Sequence, residues 1–344
     1  MKLFFSKSSK HYLDQKNQFF NENTMSLEKA LNYNAVYSKM AKRQTCKICR
    51  IQLGTKIDFS SHGIDYIFCR NSDCQHLNGA FEDSEDFIKY VYSSDGESTY
   101  GKNYIDEKYD ERTISVYKPK LDFLTANIPE KVVKILDVGA GAGHFVYSAL
   151  RMGHEASGID LGNEMVQFGN EQIFHRLKLR PLSLVNESDL LEKVRSFDGN
   201  VISAIGVIEH LREPERFFSA FRESSTKYLF YSVPMFSLSV FIENSFQSVF
   251  PRQLSGGHTH LFTEKSFRKM NDFLGIASIA EWRFGTDILD LFRSLMVLGR
   301  QNYSSDFTLA RLSDFFLNST DQLQSVLDKN YFCSEIHVIA QKSV

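Results

Sequence analysis

Four of the five cysteines in this 344-residue chain, Cys46, Cys49, Cys69 and Cys74, fall in two pairs within one short stretch. Each pair fits in a single tight turn, so four sulfurs can converge tetrahedrally on zinc. In a reducing compartment such clustering favours a metal over disulfides. The second pair is more widely spaced than the first, which keeps His76 as an alternate fourth ligand. Four protein ligands leave no open position, so this zinc is expected to be structural. A second group has Asp137 followed by Gly139, Gly141 and Gly143, with Asp160 further on. Glycines at every second position let the backbone turn tightly and let a ligand approach the main chain. A third group comprises Glu209, His210, His258 and His260. Histidine titrates near working pH, which suits it to take a proton from a substrate.

These groups need elements to hold them. The apolar run from Val132 to Leu136 reads as a strand that ends at the glycine turn. Phe145 with Ala149 and Val146 with Leu150 recur at helical spacing, so the turn opens into a helix whose N-terminal amides face the ligand. Gly153 stops that helix, and a second strand near residues 156–159 delivers Asp160 at its carboxyl end, where a carboxylate can accept ribose hydroxyls. A dinucleotide fingerprint would need glycine at His144, and no P-loop lysine is present.

The acid before Gly139-x-Gly141-x-Gly143, with Asp160 closing the next strand, resembles the first motifs of the class I S-adenosylmethionine (SAM) methyltransferases. The resemblance implies an α/β, Rossmann-like seven-stranded domain with SAM as cofactor. It implies that Asp137, Gly139, Ala140, Gly141 and Gly143 surround the methionine end, that Asp160 holds the ribose, and that Leu161 lies against adenine. It also places Asn186 where these enzymes contact the adenine ring, in place of the usual acid, and Gly206 near the transferred methyl. The cysteine segment looks like the zinc ribbon preceding the catalytic domain in a group of bacterial methyltransferases that act on sugars and other small molecules. In that group a tyrosine-rich stretch wraps onto the cofactor cleft, which implies Tyr104 and Tyr100 there.

Glu209-His210 with the later His258-x-His260 resembles the Glu-x-x-Glu-His site of metal-dependent O-methyltransferases, except that the first Glu is Gly206. Losing a carboxylate weakens affinity for a hard cation. The expectation is therefore His260 or His258 as general base, with His210 lining the site.

The remaining chain divides as an N-terminal extension and helix at 1–43, a zinc-ribbon-like module at 44–80, a tyrosine-rich helical connector at 81–127 and a SAM-binding domain at 128–344. The last carries an acceptor-loop insert at 235–262 and a helical insert at 286–330. Residues 1 to 24 are polar and aperiodic, which suggests a loosely held extension. Lys39, Lys42, Arg43, Lys47 and Arg50 form a basic patch, expected to be a solvated face. Cys333 is expected to be a buried strand residue. A net charge of −2 argues against nucleic acid or anionic membrane as partner, and no apolar run approaches the roughly 18 residues of a membrane span. The reading is a cytoplasmic SAM-dependent methyltransferase acting on a small-molecule acceptor, a sugar or nucleotide-sugar. The alternatives are an RNA methyltransferase gripping phosphates through the ribbon, and a non-catalytic SAM-binding scaffold.

Overall fold

Strands form where apolar runs meet turn residues: β1 (Lys2–Phe5), β2 (Phe59–Ser61), β3 (Ile64–Phe68), β4 (Leu77–Gly79), β5 (Lys134–Val138), β6 (Glu155–Asp160), β7 (Leu182–Leu184), β8 (Val201–Ile205), β9 (Tyr228–Pro234), β10 (His260–Leu261), β11 (Ile276–Phe284) and β12 (Glu335–Lys342). The helices are α1 (Asn23–Tyr37), α2 (Glu85–Tyr92), α3 (Tyr109–Arg112), α4 (Lys118–Thr125), α5 (His144–Arg151), α6 (Asn163–Leu177), α7 (Glu187–Ser196), α8 (Pro214–Glu223), α9 (Leu238–Ser245), α10 (Glu264–Phe273), α11 (Asp287–Asn302) and α12 (Asp306–Lys329). The computed structural model describes residues 1–9, 23–92, 108–254, 257–273, 275–302 and 305–342, so Tyr100 and Tyr104 lie outside the described residues.

One sheet is eight-stranded in the order β1-β11-β12-β9-β8-β5-β6-β7. From β7 to β9 neighbours are parallel, while β12 runs antiparallel to both β9 and β11. Apart from β1 this is the expected seven-stranded, Rossmann-like α/β sheet. Successive strands lie to one side of β5 and later ones to the other, which opens a crevice beyond the carboxyl ends of β5 and β8, where open α/β sheets take their ligands. Phe217, Phe218 and Phe221 of α8 are all within 1% of complete burial against this sheet, each contributing roughly 1.5–3 kcal/mol.

The eighth strand corrects the expectation of a loose N-terminus. Lys2–Phe5 pairs in parallel with Ala280–Arg283, the Trp282 indole N–H donates to the Ser6 carbonyl, and Ser9 donates to Asp321 through both its amide and its hydroxyl. Four residues are too few to show a period, and the partner is the distant edge of β11, whose backbone groups would otherwise lack pairing. Within the helical connector, the helix from Tyr109 to Thr125 passes through a π-helical turn at Thr113–Tyr117. Pro119 has no N–H to return to Ser115, which suits a wider turn just before it. The helical insert is a hairpin of α11 and α12 whose Ile288, Phe292 and Met296 pack on Leu309 and Phe316, with the Phe292 and Phe316 rings stacked at 4.8 Å. Leu238 of α9 packs on the same cluster, while α12 keeps Phe315, Leu317 and Val326 exposed.

The second sheet, β10-β4-β3-β2, joins segments far apart in the chain. His260 and Leu261 pair antiparallel with Asn78 and Leu77, and the Gly79 amide donates to the Thr259 carbonyl at 2.8 Å. A Cβ at Gly79 would lie 2.6 Å from that carbonyl, so glycine is needed for the approach. The cysteine module and the acceptor loop therefore share one sheet instead of forming separate units. Among the described residues, no helix is long and apolar enough to cross a membrane.

Candidate functional site

The glycine turn sits at the mouth of the crevice. Gly139, Gly141 and Gly143 all have positive φ, at +68°, +51° and +73°. A Cβ would come within 2.5 Å of Val207 at Gly139 and 2.8 Å of Leu182 at Gly143, whereas Gly141 faces open space. Packing requires the outer two, and the middle one leaves bare backbone for a ligand. The Asp160 carboxylate accepts the Gly141 amide at 2.7 Å and the Gly162 amide at 2.8 Å, which ties the turn to the end of β6. Leu161 beside it is 58% exposed and offers an apolar shelf. Ala140 is half-buried in the same turn.

Asp137 lies beneath, buried, with Ser203 Oγ donating to it at 2.6 Å, and burial pushes its carboxyl up to about 7. Bare backbone, a half-buried carboxylate and an apolar shelf fit an adenosine-bearing cofactor such as SAM. Asn186 is different, because its side-chain oxygen accepts the Asp189 amide and caps α7. A residue missed from sequence is His144, whose ring stacks on Tyr109 at 4.2 Å and on Tyr117 at 5.2 Å. With the Tyr109 hydroxyl donating to the Ala142 carbonyl, it fastens the connector to the turn. The available signal was its unusual place at the position where a dinucleotide site has glycine.

The four cysteines converge. Cys46 and Cys74 sulfurs are 3.8 Å apart, Cys49 and Cys69 are 3.5 Å apart, and all four lie within 4.8 Å of one another. A zinc bound at about 2.3 Å by four sulfurs sets them about 3.8 Å apart, so the set fits that ion. The longer second loop closes because the Asn71 carbonyl accepts both the Cys74 and Gln75 amides. The hydrogen bond between the Cys46 and Cys74 thiols lowers Cys46 and raises Cys74, and burial raises Cys69, so without a cation only part of the cluster is held as thiolate.

On the acceptor side the ring protons can be assigned by elimination. His260 Nε2 meets the Glu209 carbonyl at 2.9 Å, and a carbonyl only accepts, so Nε2 carries the proton. His260 Nδ1 is then bare and accepts from His76 Nε2 at 2.9 Å, and His76 Nδ1 in turn accepts from Ser266 Oγ at 3.0 Å. Both rings are buried, which holds their pKa values well below the ordinary one. Two expectations are corrected: His260 has no lone pair for a substrate proton, and His76 has none for the thiol cluster. His260 instead positions the Glu209 turn. We expect His260→Ala to cost roughly 3 kcal/mol in thermal or denaturant unfolding, by orphaning two buried partners, while SAM affinity stays put. Lost turnover at unchanged stability would restore His260 as the base.

His258 behaves oppositely. Its Nδ1 donates to the Gln253 carbonyl at 3.2 Å, which leaves the Nε2 lone pair facing Glu209 Oε1 at 3.9 Å. The His210 ring stacks against it at 5.4 Å and bonds the Gly257 carbonyl. Burial lowers His210 to about 3 and His258 to about 4, so both are neutral near pH 7. Glu209 is 5% exposed with Oε2 lacking a partner, and burial pushes its carboxyl up to about 8. Gly206, at φ +68°, adds no side chain, and the space where its Cβ would stand meets only Glu209 Oε1, at 3.9 Å.

The basic patch is not a solvated face where it counts. Arg43 and Lys47 are 7% and 2% exposed and both donate to Asp83, at 2.9 and 2.7 Å, as does Thr259. Burial alone would raise Asp83, but the two cations outweigh it and hold the carboxyl at about 2. Lys47, Asp83 and Thr259 face Glu209 and His210 across a pocket whose apolar wall is α2. The cysteine module thus supplies one side of the pocket.

A family profile described as a methyltransferase domain matches residues 109–279. No curated protein sequence matches the chain. Similar solved structures include magnesium protoporphyrin IX methyltransferase from Synechocystis PCC 6803 with bound SAH, at 14% identity over 76% of this chain and 100% of that one, TM-score 0.48. Phosphoethanolamine N-methyltransferase 2 of Haemonchus contortus in complex with SAM is 17% identical over 78% of this chain and 62% of that one, TM-score 0.47. Such values leave these as likenesses only, and the assignment rests on the domain match, the glycine turn and Asp160. Residues 109–279 match a methyltransferase domain, and the sheet order around them is the one expected of a class I SAM-dependent methyltransferase.

Proposed function

We propose that this methyltransferase acts on a small polar acceptor, a sugar or nucleotide-sugar, seated between the cysteine module and the Gly206–His210 turn. The observation that carries the reading is the shared sheet of β10 and β4, which walls the pocket with Lys47 and Asp83 opposite Glu209 and His210. The pocket is narrow and half open, with mixed polar and apolar lining, and Arg43 and Lys47 are engaged in a buried ion pair instead of facing phosphates, which favours a small molecule over a nucleic acid backbone. SAM supplies an electrophilic methyl group when bound. Asp137, Gly139, Ala140, Gly141, Gly143 and Gly206 surround its methionine end, Asp160 takes the ribose and Leu161 the adenine. The four cysteines hold a structural zinc, and the clustered thiols fit a cytoplasmic protein.

An oxygen or nitrogen acceptor must lose a proton during transfer. That task falls to the Glu209–His210–His258 cluster, whose inward lone pair is His258 Nε2. A screen of nucleotide-sugars with labelled SAM tests the reading. The substrate found is expected to lose about 100-fold in kcat with His258→Ala, at unchanged SAM affinity. Label going to RNA and to none of the sugars would overturn it.

A further inference from the structure

Lys47 stands between Cys46 and Cys49, inside the first thiol loop, yet it lines the acceptor pocket. Its backbone is fixed there because its amide donates to Asn78 Oδ1 at 3.0 Å, and Asn78 belongs to β4, the strand that pairs with β10. The side chain is 2% exposed, and an ammonium has three N–H groups to place. Asp83 Oδ2 accepts one of them at 2.7 Å while also accepting from Arg43, and Asp83 Oδ1 is taken by the Thr259 hydroxyl. Among the described residues nothing else accepts from Lys47, so two N–H groups of a buried cation are left for whatever enters the pocket.

The opposite wall has the complementary need. Glu209 Oε2 is buried and, among the described residues, has no hydrogen-bond partner. Between the two walls is a cavity of about 20 Å³, with Phe87, Ile88 and Val91 on its apolar side. A single water needs roughly 10–15 Å³, so the cavity admits one polar group of that size. That group must accept from Lys47 and give a proton to the other wall. A hydroxyl does both and still keeps a second lone pair with which to attack a methyl group. A neutral amine has one lone pair, and Lys47 would occupy the pair that must attack. A carboxylate has no proton to give.

We propose that Lys47 is a catalytic residue that donates to the acceptor's reacting hydroxyl oxygen, so that this pocket methylates oxygen and not nitrogen. The chemistry rests on the methyl-transfer reading, whereas the hydroxyl seat rests on the cavity alone. The seated oxygen attacks with its free lone pair, and the O–C bond forms as the C–S bond breaks with its electron pair staying on sulfur. The hydroxyl proton passes to His258 Nε2, which lies 3.9 Å from Glu209 Oε1. Negative charge building on the oxygen is met by an ammonium already in place, and a preorganised donor of this kind acts mainly on the transition state.

The seat is tested without turnover, by crystals of the full chain with its cysteine site loaded and S-adenosylhomocysteine bound, soaked in turn with ethylene glycol and ethanolamine. A hydroxyl within about 3 Å of Lys47 Nζ is expected in both soaks. The amine at that place, an adventitious additive only, or water alone would overturn the inference. The chemistry is tested on the acceptor that the labelled-SAM screen yields, beside its analogue with an amine in place of the hydroxyl. A methyl ether is expected from the first and no label in the second. Lys47→Met is expected to lower kcat about 100-fold, with the acceptor KM and SAM affinity changed only a few-fold, and Lys47→Arg to recover part of the rate. Melting temperature and SAM calorimetry report whether each variant is folded, and the hydroxyl–amine comparison needs no variant. An N-methyl product, or folded Lys47→Met working at the parental rate, would overturn the inference. No labelled product from any acceptor, with the hydroxyl still seated, would overturn the methyl-transfer reading and leave the seat standing.

Discussion

Asp160→Ala is expected to lower SAM affinity about 100-fold or more, equivalent to ~3 kcal/mol, when measured by calorimetry. The carboxylate has two duties. One is to the cofactor, because each ribose hydroxyl it accepts is a hydrogen bond to a charged group and these are the stronger kind. The other is to the protein, because its two oxygens receive the Gly141 and Gly162 amides and so hold the glycine turn against β6. Asp160→Asn separates these poorly, since the new amide N–H₂ would confront one of the backbone N–H donors. Asparagine should therefore also bind weakly, despite its matching shape. Retention of parental affinity by the alanine variant would mean that the ribose is held elsewhere, and with it the cofactor placement would fail.

Cys46→Ser is expected to take the zinc content from one per chain to near zero by elemental analysis, with a large fall in melting temperature. Structural zinc contributes on the order of 10 kcal/mol of apparent binding energy at neutral pH, and the energy of such a site is folding energy. The core directly around the cysteines is small, Leu53, Ile67 and Ala80 with partly buried neighbours, while Ile64, Tyr66 and Leu77 of the same module pack in a separate cluster with Leu261. Because β4 pairs with β10, loss of the module should also disorder the acceptor loop that carries His258 and Thr259. SAM affinity should change only a few-fold, as the glycine turn and Asp160 are built on β5 and β6. A protein prepared without chelator that contains no zinc, or a serine variant that melts with the parent, would remove the ion from the account.

The features legible from sequence were those whose partners lie close by in the chain. Asp137, the glycines and Asp160 are brought together by one strand–helix–strand unit, so their spacing alone implied a nucleotide-type crevice. The cysteine pairs needed only two turns to bring four sulfurs together. Even Asn186 was locatable, although its service as a helix cap was not separable from a ligand role by position.

What the chain by itself determined was the strand, glycine turn, helix and strand that end at Asp160 and the two close cysteine pairs, since these follow from short-range periodicity and spacing. The seven-stranded sheet was implied by the resemblance those residues carry. Tertiary structure alone decided which histidine keeps a lone pair. His260 and His258 are two residues apart, yet one is locked between Glu209 and His76 and the other is tethered to Gln253 with Nε2 free to face inward. It also decided that Arg43 and Lys47 are buried on Asp83, and that Lys2–Phe5 closes the sheet edge. The physical reason is common to all three. Hydrogen bonds and ion pairs depend on donors and acceptors meeting within about 3 Å, and when those partners come from distant segments no local pattern records the meeting.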